Sequence, residues 1–140
     1  MRLGIVVSTF NQDVTEQLYQ SALAKAKEKG IDNNIVLVRV PGAVEIPLIA
    51  KKLCQQSDID AVICLGAVIR GETTHYDYVC QQVSYGCQKV ALDLEKPVIF
   101  GVLTTEDEMQ ALARINKGAE CVMAAIDMLE NIKTIAQRKV

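Results

Sequence analysis

Residues 61–69 read A-V-I-C-L-G-A-V-I, from Ala61 to Ile69, with no polar side chain on either of the two faces a strand presents. A strand exposed on one side alternates apolar with polar residues, whereas one covered by helices on both sides is apolar throughout. The run is too short to cross a bilayer as a helix, which takes about 20 residues. It therefore reads as an inner strand of a parallel sheet.

On both sides of this strand, β-branched apolar runs alternate with longer segments of helical period. Leu3 to Val7, Ile35 to Val40 and Val98 to Leu103 read as strands, with helices at Val14 to Lys29, Val44 to Gln56 and Thr74 to Leu94. Two last helices cover Glu106 to Arg114 and Lys117 to Gln137. Pro41-Gly42 closes strand two and Lys96-Pro97 closes helix three, because proline restricts its predecessor and lacks the N–H of a helical ladder. Four strands alternating with helices predict a three-layer α/β/α sandwich. The chain has 140 residues, half of them hydrophobic, and no linker, repeat or low-complexity stretch, so 1–140 reads as one domain.

The formal net charge of -2 and the scattered basic residues leave no electrostatic footprint for nucleic acid or an acidic membrane surface. Met1 to Val7 holds an apolar stretch of only about five residues without a small-residue cleavage site, which fits a first strand better than a secretory leader. Five cysteines, Cys54, Cys64, Cys80, Cys87 and Cys121, include no C-x-x-C pair. That pattern argues against a disulfide framework or a zinc knuckle and for a soluble protein of the reducing cytoplasm. Motifs of dinucleotide, ATP, zinc-protease and serine-hydrolase sites are missing as well.

Ligands of open parallel sheets bind beyond the carboxyl ends of the strands, where strand order reverses. For an order of 2-1-3-4 that point lies between strands one and three, at residues 8–12 and 70–75. There G-E-T-T-H-Y-D, Gly71 to Asp77, joins the apolar strand to a helix. Thr73 or Thr74 can cap that helix, with Asp77 placed for a reciprocal carboxylate cap. Free N–H groups and threonine hydroxyls suit a phosphate or oxyanion, though an ordinary capped helix fits the same spacing. His75, the only histidine, sits at the positive end of the helix dipole, which favours its neutral form and a role as general base or proton shuttle. A surface or capping role fits it too.

Three further features flank this segment. Phe10 and Phe100, the only phenylalanines, fall near carboxyl ends of strands, where an aromatic face offers stacking for a flat heterocycle. Phe100 lies within strand four and serves equally as core. Glu45, in P-G-A-V-E-I-P, accepts hydrogen bonds from hydroxyls or complements a helix dipole. Arg114 and Lys117 flank the break at Asn116 and Gly118, and two close cations suit a phosphate as well as solvent.

The segments P-G-A-V-E-I-P (41–47), G-A-V-I-R-G-E-T-T-H-Y-D-Y-V (66–79) and P-V-I-F-G-V-L-T-T-E (97–106), with Phe10-Asn11 upstream, together resemble lumazine synthase. The resemblance implies a flavodoxin-like sandwich and a transferase that makes 6,7-dimethyl-8-ribityllumazine from a ribitylamino-pyrimidinedione and 3,4-dihydroxy-2-butanone 4-phosphate, with no metal or redox cofactor. It also implies a homo-oligomer, a pentamer whose active sites lie between subunits. Phe10 would stack on the pyrimidine, Ala43, Val44 and Glu45 would hold the ribityl chain and the pyrimidine edge, and Val68 and Ile69 would offer backbone groups. Glu72 and Thr73 would bind phosphate, His75 would shuttle protons, and Phe100, Arg114 and Lys117 would arrive from the adjacent subunit. The chain starts almost directly at strand one and has a short turn between Arg114 and Lys117. Against many relatives these two departures imply sparser subunit contacts and favour a free pentamer, with a pentamer pair or a complete shell as the open alternatives. An archaeal-type riboflavin synthase, a flavin or phosphate carrier and a shell-forming container are the competing readings.

Overall fold

The computed structural model, which describes residues 1–138, is a three-layer sandwich around one parallel sheet. Its strands are β1 (Leu3–Ser8), β2 (Ile35–Val40), β3 (Ala61–Ile69) and β4 (Val98–Thr105). They lie in the order β2-β1-β3-β4, as the sequence predicted. The helices are α1 (Gln12–Glu28), α2 (Ile46–Cys54), α3 (His75–Leu94), α4 (Glu108–Leu112) and α5 (Lys117–Ala136).

Strand order and helix placement follow from one rule. Parallel crossovers are right-handed, so the direction in which the chain moves across the sheet decides which face its helix covers. The step from β1 to β2 goes one way and puts α1 on one face. The steps from β2 to β3 and from β3 to β4 go the other way and put α2 and α3 on the opposite face.

Alternate residues of β3 feed two cores. Ala61, Ile63, Leu65 and Ala67 pack with Leu3, Ile5 and Val7 of β1 against Leu18 and Ala22 of α1 and Val122 and Ala125 of α5. Val62, Cys64 and Val68 pack with Val6 against Ile46 and Ala50 of α2 and Val83 and Cys87 of α3. Full burial of one such aliphatic side chain contributes roughly 1.5–3 kcal/mol, which is why β3 carries no polar residue.

Element ends differ from the sequence reading where turn chemistry decides. Helix α1 starts two residues before Val14 because Asn11 takes a left-handed conformation, φ 61° and ψ 48°, and turns the chain straight into the helix. Residues Ala43–Glu45 form a single 3-10 turn, and α2 begins only at Ile46 with Pro47 in its first turn. Strand β4 runs on through Thr104 and Thr105, paired with Val68 and Ile69. Helix α4 is five residues long and starts two residues after Glu106, because Asp107 accepts from the Gln110 N–H at 2.8 Å and caps it there.

Helix α5 crosses α1 at Gly118. A Cβ at this position would run into the carbonyl oxygen of Leu18 and come within 2.9 Å of the Ala22 nitrogen. Ser21 of α1 accepts from the Ala119 N–H at 3.0 Å and caps the same turn. Replacing glycine by alanine inside a helix gains up to about 1 kcal/mol in propensity, whereas overpacking costs about 1–3 kcal/mol. The obstructing atoms here are backbone and cannot rotate away, so overpacking wins. Gly118→Ala is expected to lose about 2 kcal/mol, seen as a lower midpoint in chemical denaturation; a midpoint at or above wild type would mean that the two helices can move apart freely.

Candidate active site

Past Ser8 the chain stays with β2 and leaves β3. The Thr9 N–H donates to the Val40 carbonyl at 2.8 Å and the Phe10 N–H to the Pro41 carbonyl at 3.0 Å. Pairing of β1 with β3 ends at Val7 and Leu65, while β3 and β4 stay paired as far as Ile69 and Thr105. A crevice therefore opens between the ends of β1 and β3, the switch point of the sheet. Asn11 bridges it, its side-chain Nδ2 donating to the Ala67 carbonyl at 2.9 Å.

The crevice is a cavity of about 430 Å³. Phe10 and Asn11 line it after β1, Ala43 and Val44 in the 3-10 turn, and Val68 and Ile69 at the end of β3. Thr73, His75, Tyr76 and Val79 close it from the turn and first helical residues after β3. Phe10 is 71% exposed, so its ring stands free at the cavity mouth.

The start of α3 differs from the expected reciprocal cap. Thr74 makes no side-chain capping bond; Thr73 supplies one instead, its Oγ1 accepting from the His75 N–H at 3.2 Å. Asp77 turns to Arg70, 3.5 Å away, and Arg70 also pairs with Glu106 at 2.8 Å. The Arg70 guanidinium lies 4.3 Å from the centre of the Tyr76 ring, within cation–π range. Desolvation works against the guanidinium charge, but Glu106 and Asp77 outweigh it and raise the Arg70 pKa. Burial likewise pushes the Tyr76 phenol above its ordinary value.

Of the site residues expected from sequence, Phe10, Ala43, Val44, Val68, Ile69, Thr73 and His75 meet around this cavity. Glu45 and Glu72 are exposed beside it, one in the 3-10 turn and one in the loop before α3. Phe100 does not lie near the carboxyl end of its strand. Strand β4 continues to Thr105, which leaves Phe100 level with Cys64 in mid-sheet, half-buried against the α2–α3 core. Arg114 and Lys117 line a separate concavity of about 460 Å³ with Thr104, Thr105, Asn116 and Glu120. There the Arg114 Nη1 donates to the Gln110 carbonyl at 2.8 Å.

Sequence reading missed three residues of the region as separate participants: Asn11, Arg70 and Tyr76. Asn11 carried a signal, since asparagine tolerates the left-handed region more readily than most residues. Arg70 and Tyr76 carried none, because their roles depend on Glu106 arriving from the end of β4. Among the described residues, no three of His, Cys, Asp and Glu gather as a metal-binding group, and no helix is long and apolar enough to cross a membrane.

The family model described as 6,7-dimethyl-8-ribityllumazine synthase matches residues 1–133. Proteins of that name from Coxiella burnetii strains CbuG_Q212 and RSA 493 / Nine Mile phase I are each 56% identical over 140 residues, covering 96% of this chain and 93% of the relative. The protein of that name from Coxiella burnetii strain Dugway 5J108-111 is 54% identical with the same coverage.

The Asn11 bridge separates two effects by substitution. Asn11→Ala loses the bond to Ala67 and also meets the left-handed penalty of roughly 1–2 kcal/mol; Asn11→Gly loses only the bond, about 1 kcal/mol. Denaturation midpoints are expected in the order wild type, Asn11→Gly, Asn11→Ala. Equal midpoints for the two variants would show that backbone conformation at this turn costs nothing.

Proposed function

The chain belongs to the 6,7-dimethyl-8-ribityllumazine synthase family, and from that premise we propose that it acts as a transferase of riboflavin biosynthesis, with residues 1–140 as one domain. Its substrates are 5-amino-6-ribitylamino-2,4(1H,3H)-pyrimidinedione and 3,4-dihydroxy-2-butanone 4-phosphate. A single observation carries this reading: one cavity at the switch point gathers an exposed aromatic ring, the carboxyl end of β3, a capped helix start and the only histidine.

The primary amine of the pyrimidine adds to the ketone and loses water to give an imine. Proton loss beside the imine expels phosphate by breaking its C–O bond. After rearrangement the ribitylamino nitrogen attacks the remaining carbonyl, and loss of a second water closes the ring of 6,7-dimethyl-8-ribityllumazine. Each step moves a proton, and in this reading His75, which lines the cavity, carries it. Much of the rate gain comes from holding two substrates in contact.

In this reading Phe10 stacks on the pyrimidine and Val68 and Ile69 present backbone groups to its edge. Ala43 and Val44 hold the ribityl chain while Glu45 accepts from its hydroxyls. Glu72 and Thr73 receive the phosphate at the start of α3. Among the described residues, no cationic side chain lines this cavity, whereas Arg114 and Lys117 line a second one. Cationic side chains strengthen the hold on a phosphate, which supports a site shared between subunits, here of a homopentamer, in which Phe100, Arg114 and Lys117 of one subunit complete the site of the next. Free thiols at all five cysteines fit residence in the cytoplasm.

Purified protein mixed with the two substrates, without cofactor, is expected to form lumazine faster than a no-enzyme control; that control matters because the condensation also runs spontaneously. Absence of any excess rate in folded, oligomeric protein would refute the proposal. Arg114→Ala is expected to raise KM for the ketone phosphate by about 10- to 100-fold, the size of a lost charge-assisted hydrogen bond, with KM for the pyrimidine little changed. Equal losses for both substrates would contradict the phosphate role of Arg114.

A further inference from the structure

Arg70 does not line the cavity, yet it touches one residue that does, Tyr76, and two carboxylates beside the start of α3. Its backbone N–H donates to the Thr105 carbonyl at 2.9 Å, at the last pair of the β3–β4 ladder. Its guanidinium reaches Glu106 at 2.8 Å, Asp77 at 3.5 Å and the face of Tyr76 at 4.3 Å. The Asp77 N–H donates to the Thr74 carbonyl at 3.0 Å, which sets Asp77 in the first turn of α3.

That position poses an electrostatic conflict. The field at a helix N-terminus that attracts a phosphate attracts the Asp77 carboxylate equally, and two anions in one turn repel each other. We infer that Arg70 is a positioning residue which neutralises Asp77 and clamps the turn at residues 71–74, so that the start of α3 stays attractive to a phosphate-bearing substrate. The inference rests on the reading of the cavity given above. A planar guanidinium can stack on Tyr76 while bonding to two carboxylates in its own plane; a lysine ammonium cannot. Partly exposed ion pairs add little to folding stability, so the consequence lies in the field at the site and not in the fold.

The test combines steady-state kinetics for both substrates with inhibition by inorganic phosphate, on the intact oligomer. Arg70→Met is expected to raise KM for the ketone phosphate and the inhibition constant of phosphate together by about tenfold, equivalent to about 1.4 kcal/mol, with KM for the pyrimidine little changed. Adding Asp77→Asn to that variant removes, of the two carboxylates left uncompensated, the one in the first turn of α3 and recovers most of the loss, while Arg70→Lys keeps charge without the planar fork and falls between. A rise shared equally by both substrates, or a double variant no better than Arg70→Met, overturns the inference. Should wild type show no turnover, the assignment of the reaction fails; direct titration with inorganic phosphate then decides on Arg70, since weaker binding by Arg70→Met and recovery by Asp77→Asn support it and identical binding overturns it. If Arg70→Met does not fold, Asp77→Asn alone tests the same coupling: tighter phosphate binding supports it, and unchanged or weaker binding overturns it.

Discussion

No side of β3 faces water, and the rest of the molecule follows from covering it. A strand apolar on both faces needs helices on both, and a parallel sheet needs crossovers to supply them. Right-handed crossovers then fix which helix covers which face. The same strand also makes the cavity. It outruns its pairing with β1 at Leu65 and continues beside β4 to Ile69, and this surplus, Ala67 to Ile69, becomes the wall of the crevice. The part of β3 that stabilises the sheet and the part that walls the cavity are thus consecutive stretches of one strand.

The order and identity of the strands and helices were legible in the sequence because they rest on periodicity. Ile35–Val40 and Ala61–Ile69 appear in the structure with the bounds read from the residues. Other ends were not legible, because they rest on single contacts. The start of α1 depends on the left-handed Asn11, and the start of α4 on the Asp107 cap. The overlong reading of the second helix ignored that an N-terminal proline permits a 3-10 turn before the helix proper. For Phe100 the core role that the sequence also allowed is the one seen: β4 continues through two β-branched threonines beyond Leu103, which leaves the phenylalanine in mid-sheet.

At the site, residues on turns next to strand ends were legible and those held by long-range ion pairs were not. Phe10, Thr73 and His75 follow directly from where the strands stop. The Arg70 cluster joins positions 70, 76, 77 and 106, and no local spacing announces it. Charge placement in such a turn is a three-body problem. The helix terminus, its own carboxylate and the incoming anion cannot all be satisfied without a cation, and that cation is Arg70, the residue just after β3.

Thiol chemistry is the remaining source of a nucleophile near the cavity, and the fold suppresses it. Cys80 stands one turn from Tyr76, and burial raises its pKa, assisted by Asp77. Burial pushes Cys121 up to about 11 and raises Cys54 as well. Cys64 is fully buried, and its hydrogen bond to Cys87 lifts it well above the ordinary value while lowering that of its partner. A thiol protonated at neutral pH is a poor nucleophile, and the Cys64–Cys87 pair, the one place where a thiol pKa falls, is sealed in the α2–α3 core. The fold therefore lends covalent catalysis by cysteine no support. What the cavity retains is a histidine, hydrogen-bonding turns and a shape that holds two molecules together, which matches a reaction whose bonds all form between the substrates themselves.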